Sequence, residues 1–292
     1  MKKLLVLLFA VVFITQAQIT QAQVQNKTDI SLYYRSDSMQ RSEISSQSGD
    51  LYTKLGHHGP AVENEWMALR IYFSSKVAID VYSKSRPGLE LKAKEWYPSA
   101  KDQKEGWGAD YYKVSETLGL GGVRLWDGKK VVKLNPVSMR TARVVKESNC
   151  SYMEMLSEDV PYKDKKVDIL LRVTVYSGKR NAKVEAFALT DDPVQFVTGI
   201  NYFKKEKIYQ KDGLIVTWGI HPEDVAAEVL EVGGAIMYNP SDFEKTIDDG
   251  TTFLLISKPT KQLKTWISSS YSRDCEFNTM KKFIGFLEKQ NN

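Results

Sequence analysis

Residues 166–192, KVDILLRVTVYSGKRNAKVEAFALTDD, decide the fold class. Val167, Ile169, Leu171, Val173 and Val175 take every second position, with more polar residues between them. An extended chain sends successive side chains to opposite faces, so these five share one face of a strand. SGKRN (177–181) supplies turn chemistry, and Ala182, Val184, Ala186 and Ala188 resume the alternation. The spacing predicts a hairpin with one buried face.

Further strands are expected in EWMALRIYF (65–73), KVAIDVYS (76–83), SMRTARVVKE (138–147), CSYMEML (150–156), VQFVTGINYF (194–203), GLIVTWGI (213–220), AEVLEVGGAIMY (227–238), TTFLLISK (251–258) and LKTWISSSY (263–271). Gly, Pro, Asp and Asn fill the connections. Helical periodicity stands out once, where Phe277, Met280, Ile284 and Leu287 form one apolar face of a closing helix. Many strands with almost no interleaved helices give an all-β, mostly antiparallel fold, with sheets packed face to face and a short C-terminal helix. No repeat of fixed period and no Pro/Ser linker divides the chain, so residues 56–292 read as one β-sandwich domain. The polar stretch 24–55, rich in Ser and Gln, reads as an arm or long loop leading into it.

With 292 residues, 42% hydrophobic and 26% charged, the chain has the composition of a globular protein. It opens with MKK and the apolar run LLVLLFAVVFI (4–14), too short to span a bilayer. Ala17 and Ala22 offer small residues for cleavage, so residues 1–23 read as a signal peptide cut near Ala22. Export to the periplasm or medium follows, with no membrane anchor. Removing Lys2 and Lys3 lowers the formal charge from +5 to +3, a mild excess with no nucleic-acid stripe. Cys150 and Cys275 either pair or stay as free thiols.

Chemistry concentrates in GHHGPAVENEW (56–66), where His57 and His58 stand beside Glu63 and Glu65. Adjacent histidines on a strand point opposite ways, so one metal would need His221 or Glu65 as well. No cofactor is expected, and a divalent metal stays open as an alternative. Glu63 and Glu65 share a face if the strand is continuous, and Arg70 then falls on the other unless a bulge intervenes. In residues 106–128, Gly119, Gly121 and Gly122 match no nucleotide-binding spacing. Tyr111 and Trp126 could stack on sugar rings or serve as core aromatics, and Asp110 could bind a hydroxyl or make a turn. Arg140 and Arg143 suit a carboxylate, but their odd spacing puts them on opposite strand faces. His221, before Pro222, reads as a turn cap. No G-x-S-x-G elbow or cysteine-nucleophile motif occurs.

HHGPAVENEWMALRIYF (57–73), IDVYSKSRPGLEL (79–91), TLGLGGVRLWDG (117–128) and RVTVYSGKR (172–180) resemble domain of unknown function 4861, from Gly56 to near Tyr271. That family of exported bacterial proteins is associated with polysaccharide-use gene clusters. The resemblance implies a large, sugar-mutarotase-like β-sandwich or supersandwich. It also implies an oligosaccharide partner bearing uronates, as in ulvan or pectin, and loss of water from a terminal sugar, with no protein partner. Such an elimination needs a base for the C5 proton, a group neutralising the carboxylate and an acid for the departing oxygen. His57 or His58 would be base or acid, Arg70 or Arg143 would hold the carboxylate, Glu65 would orient a histidine, and Tyr111 and Trp126 would line the sugar site. Hydrolysis by a carboxylate pair drawn from Glu63, Glu65, Glu90 and Asp110, or glycan binding without catalysis, are the competing expectations.

Overall fold

The computed structural model describes residues 27–94, 96–222 and 226–291. The expected signal peptide, 1–23, lies outside the described residues. In chain order the first strands are β1 (Thr28–Ser31), β2 (Glu43–Ser46), β3 (Ala61–Asn64), β4 (Met67–Ile71) and β5 (Ile79–Ser83). Helices α1 (Leu91–Lys94) and α2 (Ala100–Lys104) follow, then β6 (Arg124–Trp126), β7 (Val131–Val132), β8 (Arg140–Lys146), β9 (Cys150–Tyr162), β10 (Lys165–Tyr176) and β11 (Ala182–Ala188). The rest is β12 (Phe196–Asn201), β13 (Lys207–Lys211), β14 (Leu214–Ile220), β15 (Glu231–Met237), β16 (Phe243–Asp248), β17 (Thr252–Ser257), β18 (Gln262–Tyr271) and the closing helix α3 (Met280–Asn291).

The opening stretch forms the centre of a nine-stranded sheet, ordered β13-β14-β15-β18-β11-β10-β9-β8-β2. Its pairing sets Ile169 opposite Ala188, Leu171 opposite Ala186, Val173 opposite Val184 and Val175 opposite Ala182, all buried. The expected hairpin is therefore the one observed. The opposite face of the sheet is solvated and carries ion pairs such as Arg172–Glu154 and Lys183–Glu185. Two smaller antiparallel sheets, β1-β3-β4-β5 and β16-β17-β12-β6-β7, cover the buried face. Val62, Leu69 and Val81 from one, Phe196, Ile200 and Leu255 from the other, and Met153, Ile169 and Val173 from the large sheet share one hydrophobic core. The molecule is an antiparallel β-sandwich.

Two expectations need correction. Residues 24–55 were read as an arm or loop, but Thr28–Ser31 pairs with β3 and Glu43–Ser46 pairs with β8. Each strand has only four residues, and β1 buries Thr28 and Ser31, so no apolar alternation announces them. The closing helix seats Phe283 and Leu287 on Trp218, Ala235 and Met237, with Met280 and Ile284 beside them, while Phe277 precedes the helix. No helix among the described residues is long and apolar enough to cross a membrane. Cys150 is buried, Cys275 is exposed, and both are free thiols.

Candidate active site

The site grows from the alternation within the small four-stranded sheet. Glu63 pairs with Ala68, Ala61 with Arg70, Arg70 with Asp80 and Ala68 with Tyr82. Directly paired residues share a face, so Glu63, Arg70, Asp80 and Tyr82 point away from the main core while Val62, Leu69 and Val81 point into it. The sequence reading treated Glu63–Arg70 as one strand. A turn intervenes instead, because Asn64 Oδ1 accepts from the N–H groups of Trp66 (2.9 Å) and Met67 (3.0 Å).

Residues 91–94 and 96–112 roof this polar face. Ser99 caps α2 in a reciprocal capping box with Asp102. Trp96 packs against Ala61, Ala68 and Tyr82 and donates its indole N–H to Asp110 Oδ2 at 3.1 Å. Beneath it lies Arg70, which is 1% exposed. Its guanidinium donates to Asp80 Oδ2 (2.5 and 2.9 Å), Asp110 Oδ2 (3.0 Å), the Tyr72 and Tyr97 hydroxyls (3.1 and 2.8 Å) and the His57 carbonyl (3.3 Å). Burial works against this charge, but Asp80 and Asp110 outweigh it and hold the pKa above the ordinary arginine value.

The two histidines sit in a 3₁₀ turn, Gly56–His58, both with left-handed φ (54° and 60°). The turn packs closely enough to require its glycines. A Cβ on Gly56 would lie 2.0 Å from the Tyr33 ring, and one on Gly59 would lie 2.0 Å from the Ile71 carbonyl oxygen. His57 is buried, with Nε2 3.0 Å from Ser31 Oγ and Nδ1 without a partner among the described residues. Burial, then the charge of Arg70, lowers its pKa to about 3. His58 is half-buried and stacks on Tyr52 at 3.9 Å. Its Nδ1 lies 2.7 Å from the Tyr52 carbonyl, which can only accept, so Nδ1 carries the proton. Burial lowers the His58 pKa to about 4, so at neutral pH Nε2 holds a bare lone pair.

Beside the turn lies a cavity of about 250 Å³ lined by Tyr33, Arg35, Ser38, Gly56, His57, Trp96 and Tyr97. The His58 ring is 5.7 Å from that of Tyr97. Arg35 is exposed and spends its Nε–H on the Leu55 carbonyl at 3.0 Å. It makes no ion pair among the described residues, and its charge depresses both imidazoles.

The structure thus brings His57, His58, Arg70 and Asp110 together but separates the other expected residues. Glu63 accepts from Lys84 Nζ and from the N–H groups of Glu90 (2.8 Å) and Leu91 (3.0 Å). Glu65 accepts from the Gly178 N–H at 3.0 Å and touches neither histidine, so it cannot orient one. Arg70 is enclosed by its own carboxylates and has no free edge for a substrate. Tyr111 stacks on Tyr271 at 5.2 Å instead of lining the cavity. Trp126 packs in another cluster, with Leu118, Val197, Leu254 and Ile256. Arg140 and Arg143 do take opposite faces, and neither reaches the site. Arg140 is fully buried and donates to the carbonyls of Gly49 (2.6 Å), Ser74 and Leu134. Arg143 is 52% exposed and pairs with Glu43.

His221 makes no hydrogen bond or ring contact with the histidine turn among the described residues. Its Nδ1 accepts from the Lys113 N–H at 2.9 Å, and its Nε2 lies 3.2 Å from Glu206. Among the described residues, no group of three or more His, Cys, Asp or Glu is placed to hold a metal ion. The sequence reading missed Arg35, Tyr52, Asp80, Trp96 and Tyr97. Asp80 was detectable as an acid inside the apolar strand AIDVY, but Arg35 was hidden in the supposed arm.

A sandwich whose small sheet carries a roofed polar face beside one buried and one half-buried imidazole is the class defined here. The chain belongs to the family described as domain of unknown function (DUF4861), whose model matches residues 10–292. No curated protein sequence matches it. Among solved structures it is similar to a putative aldose 1-epimerase from Klebsiella pneumoniae subsp. pneumoniae MGH 78578, with 9% identity, 90% of this chain and 95% of that one covered, and TM-score 0.36. It is also similar to 4-alpha-glucanotransferase from Thermococcus litoralis, with 10% identity and TM-score 0.36. That match covers 73% of this chain and only 37% of the other.

Proposed function

We propose that this protein is an exported oligosaccharide dehydratase that removes water from a terminal uronate. The observation that carries the reading is a neutral histidine with an open nitrogen, His58, which adjoins the cavity-lining His57 and Tyr97. The same cavity is lined by Arg35, whose guanidinium makes no ion pair among the described residues. Arg35 would bind the substrate carboxylate and make the C5 proton easier to remove. His58 Nε2 takes that proton, the released electron pair forms the C4=C5 double bond, and the C4–O bond breaks. Tyr97 donates its hydroxyl proton to the departing oxygen, which leaves as water. Tyr97 can take the acid role because the Arg70 guanidinium donates to its oxygen at 2.8 Å, leaving its own O–H to donate. Solvent then returns a proton to Tyr97 and removes one from His58.

Cavity size favours an end group. About 250 Å³ falls below the roughly 300–1,000 Å³ of pockets that engulf larger ligands, so one ring fits better than a chain. A terminal uronate has a free C4 hydroxyl, and elimination there yields water. The hydrolytic alternative loses support, since Glu63 and Asp110 face inward onto Lys84 and Arg70. The basic and apolar opening of the chain supports export.

Mass spectra of a saturated uronate-oligosaccharide panel, taken before and after incubation, test the reading. Loss of one water with new ultraviolet absorbance from the conjugated enoate is expected. Gain of one water would make the protein a hydrolase, and unchanged masses with measurable binding would make it a lectin.

A further inference from the structure

A second cavity, of about 540 Å³, lies apart from the histidine turn and is lined by Tyr176, Lys179, Asn181, Met237, Trp266 and Gln290. It sits on the solvated face of the nine-stranded sheet, next to α3. Alternation along β18 buries Leu263, Thr265 and Ile267 and turns Lys264 and Trp266 outward. Trp266 pairs with Lys183 on one side and Met237 on the other. Tyr152 and Phe187 also lie near this face, but both have the Arg172 guanidinium over their rings, at 4.7 and 5.9 Å. Among the described residues no cation lies over the Trp266 ring, which stands 6.0 Å from that of Tyr176 at 37°, while the Tyr176 hydroxyl is hydrogen-bonded to Lys183.

The other polar groups around these rings are uncommitted. Among the described residues, Lys179 Nζ, the side-chain amides of Asn181 and Gln290, and Trp266 Nε1 make no hydrogen bond or ion pair. An aromatic floor meets the C–H face of a pyranose, amides and an indole N–H take its hydroxyls, and an ammonium takes a carboxylate. We infer that this cavity is a second, non-catalytic saccharide site that holds a uronate-bearing polysaccharide chain. The choice of ligand rests on the proposed reading of the histidine site. The site itself rests on the half-buried rings that line the cavity and on the free side chains of Lys179, Asn181 and Gln290 at its rim.

Native electrophoresis through gels containing polygalacturonate, a sulfated glucuronate polymer or neutral dextran tests the inference. Retardation is expected in at least one uronate gel. Trp266→Ala should abolish it or weaken binding by about tenfold, the scale of losing an aromatic contact. Lys179→Ala should weaken it in the uronate gels, and Asn181→Ala, which leaves the seam between sheet and α3 intact, should weaken it without destabilising the fold. Migration unaffected by either uronate polymer, or retardation that survives both Trp266→Ala and Asn181→Ala, would overturn the inference. The two readings fail separately. Retardation without dehydration leaves this site standing, whereas dehydration of short oligosaccharides by a protein that no gel retards leaves only the first.

Discussion

The role proposed for His58 depends on a carbonyl. Tyr52 fixes the proton on Nδ1 and its ring fixes the imidazole plane, so Nε2 needs no rearrangement before it acts. Replacing His58 with Ala should lower kcat by about 10²–10⁴, the usual contribution of a positioned base. Arg35→Ala should both raise KM and lower kcat on uronate substrates, and Arg35→Lys should recover little because a point charge cannot grip a carboxylate with two bonds. Because the His58 pKa is lowered to about 4, the base form persists to well below neutrality. The acid limb of kcat/KM should therefore lie near pH 4, falling tenfold for each further unit, with no loss between pH 6 and 9. A limb at pH 6.5 in the measured profile would point to a different, solvated imidazole.

At the scale of elements, the β3–β4–β5 hairpins exist to carry one guanidinium between two carboxylates. Arg70→Met would leave Asp80 as a buried charge without its cation, a change that typically costs about 3–5 kcal/mol. Urea unfolding should show this as a lower midpoint, and a loss under about 1 kcal/mol would contradict the assigned role. Legibility in the sequence follows the same physics. The 166–192 hairpin is readable because one of its faces is wholly apolar and the other largely polar. The β3–β4 turn is hidden because NEW contains neither Gly nor Pro, and only the Asn64 side chain makes the bend. Site carboxylates were misassigned because neighbours in sequence, Glu63 and Glu65, bond away from the histidines. The acids that matter, Asp80 and Asp110, arrive from strands and loops whose pairing the sequence does not display.

Across the whole molecule, acid should act through the histidines. His57, His58 and His221 have pKa values lowered to about 3, 4 and 3, mainly by burial, against an ordinary value of 6.5. The unfolded chain therefore takes up protons below pH 6.5 that the folded chain refuses, and acidification favours unfolding down to about pH 3. Glu206 opposes this in part. Burial raises its pKa from 4.5 to about 7, so between those values the folded chain binds the extra proton. Three imidazoles outweigh one carboxyl, so stability should begin to fall near pH 6.5, by at least roughly 1.4 kcal/mol per unit between pH 6 and 4. A chemical-denaturation midpoint unchanged from pH 6 to 4 would rule this out.

The strand order of the large sheet has a bearing on how the chain is made. β18, formed by residues 262–271, lies between β11 and β15, so the two halves of the sheet meet only across it. Synthesis from the amino end delivers this keystone after every other strand of the sheet. Until the ribosome has released it, β11 and β15 each present a bare edge, and the nascent protein has no closed sheet to fold into.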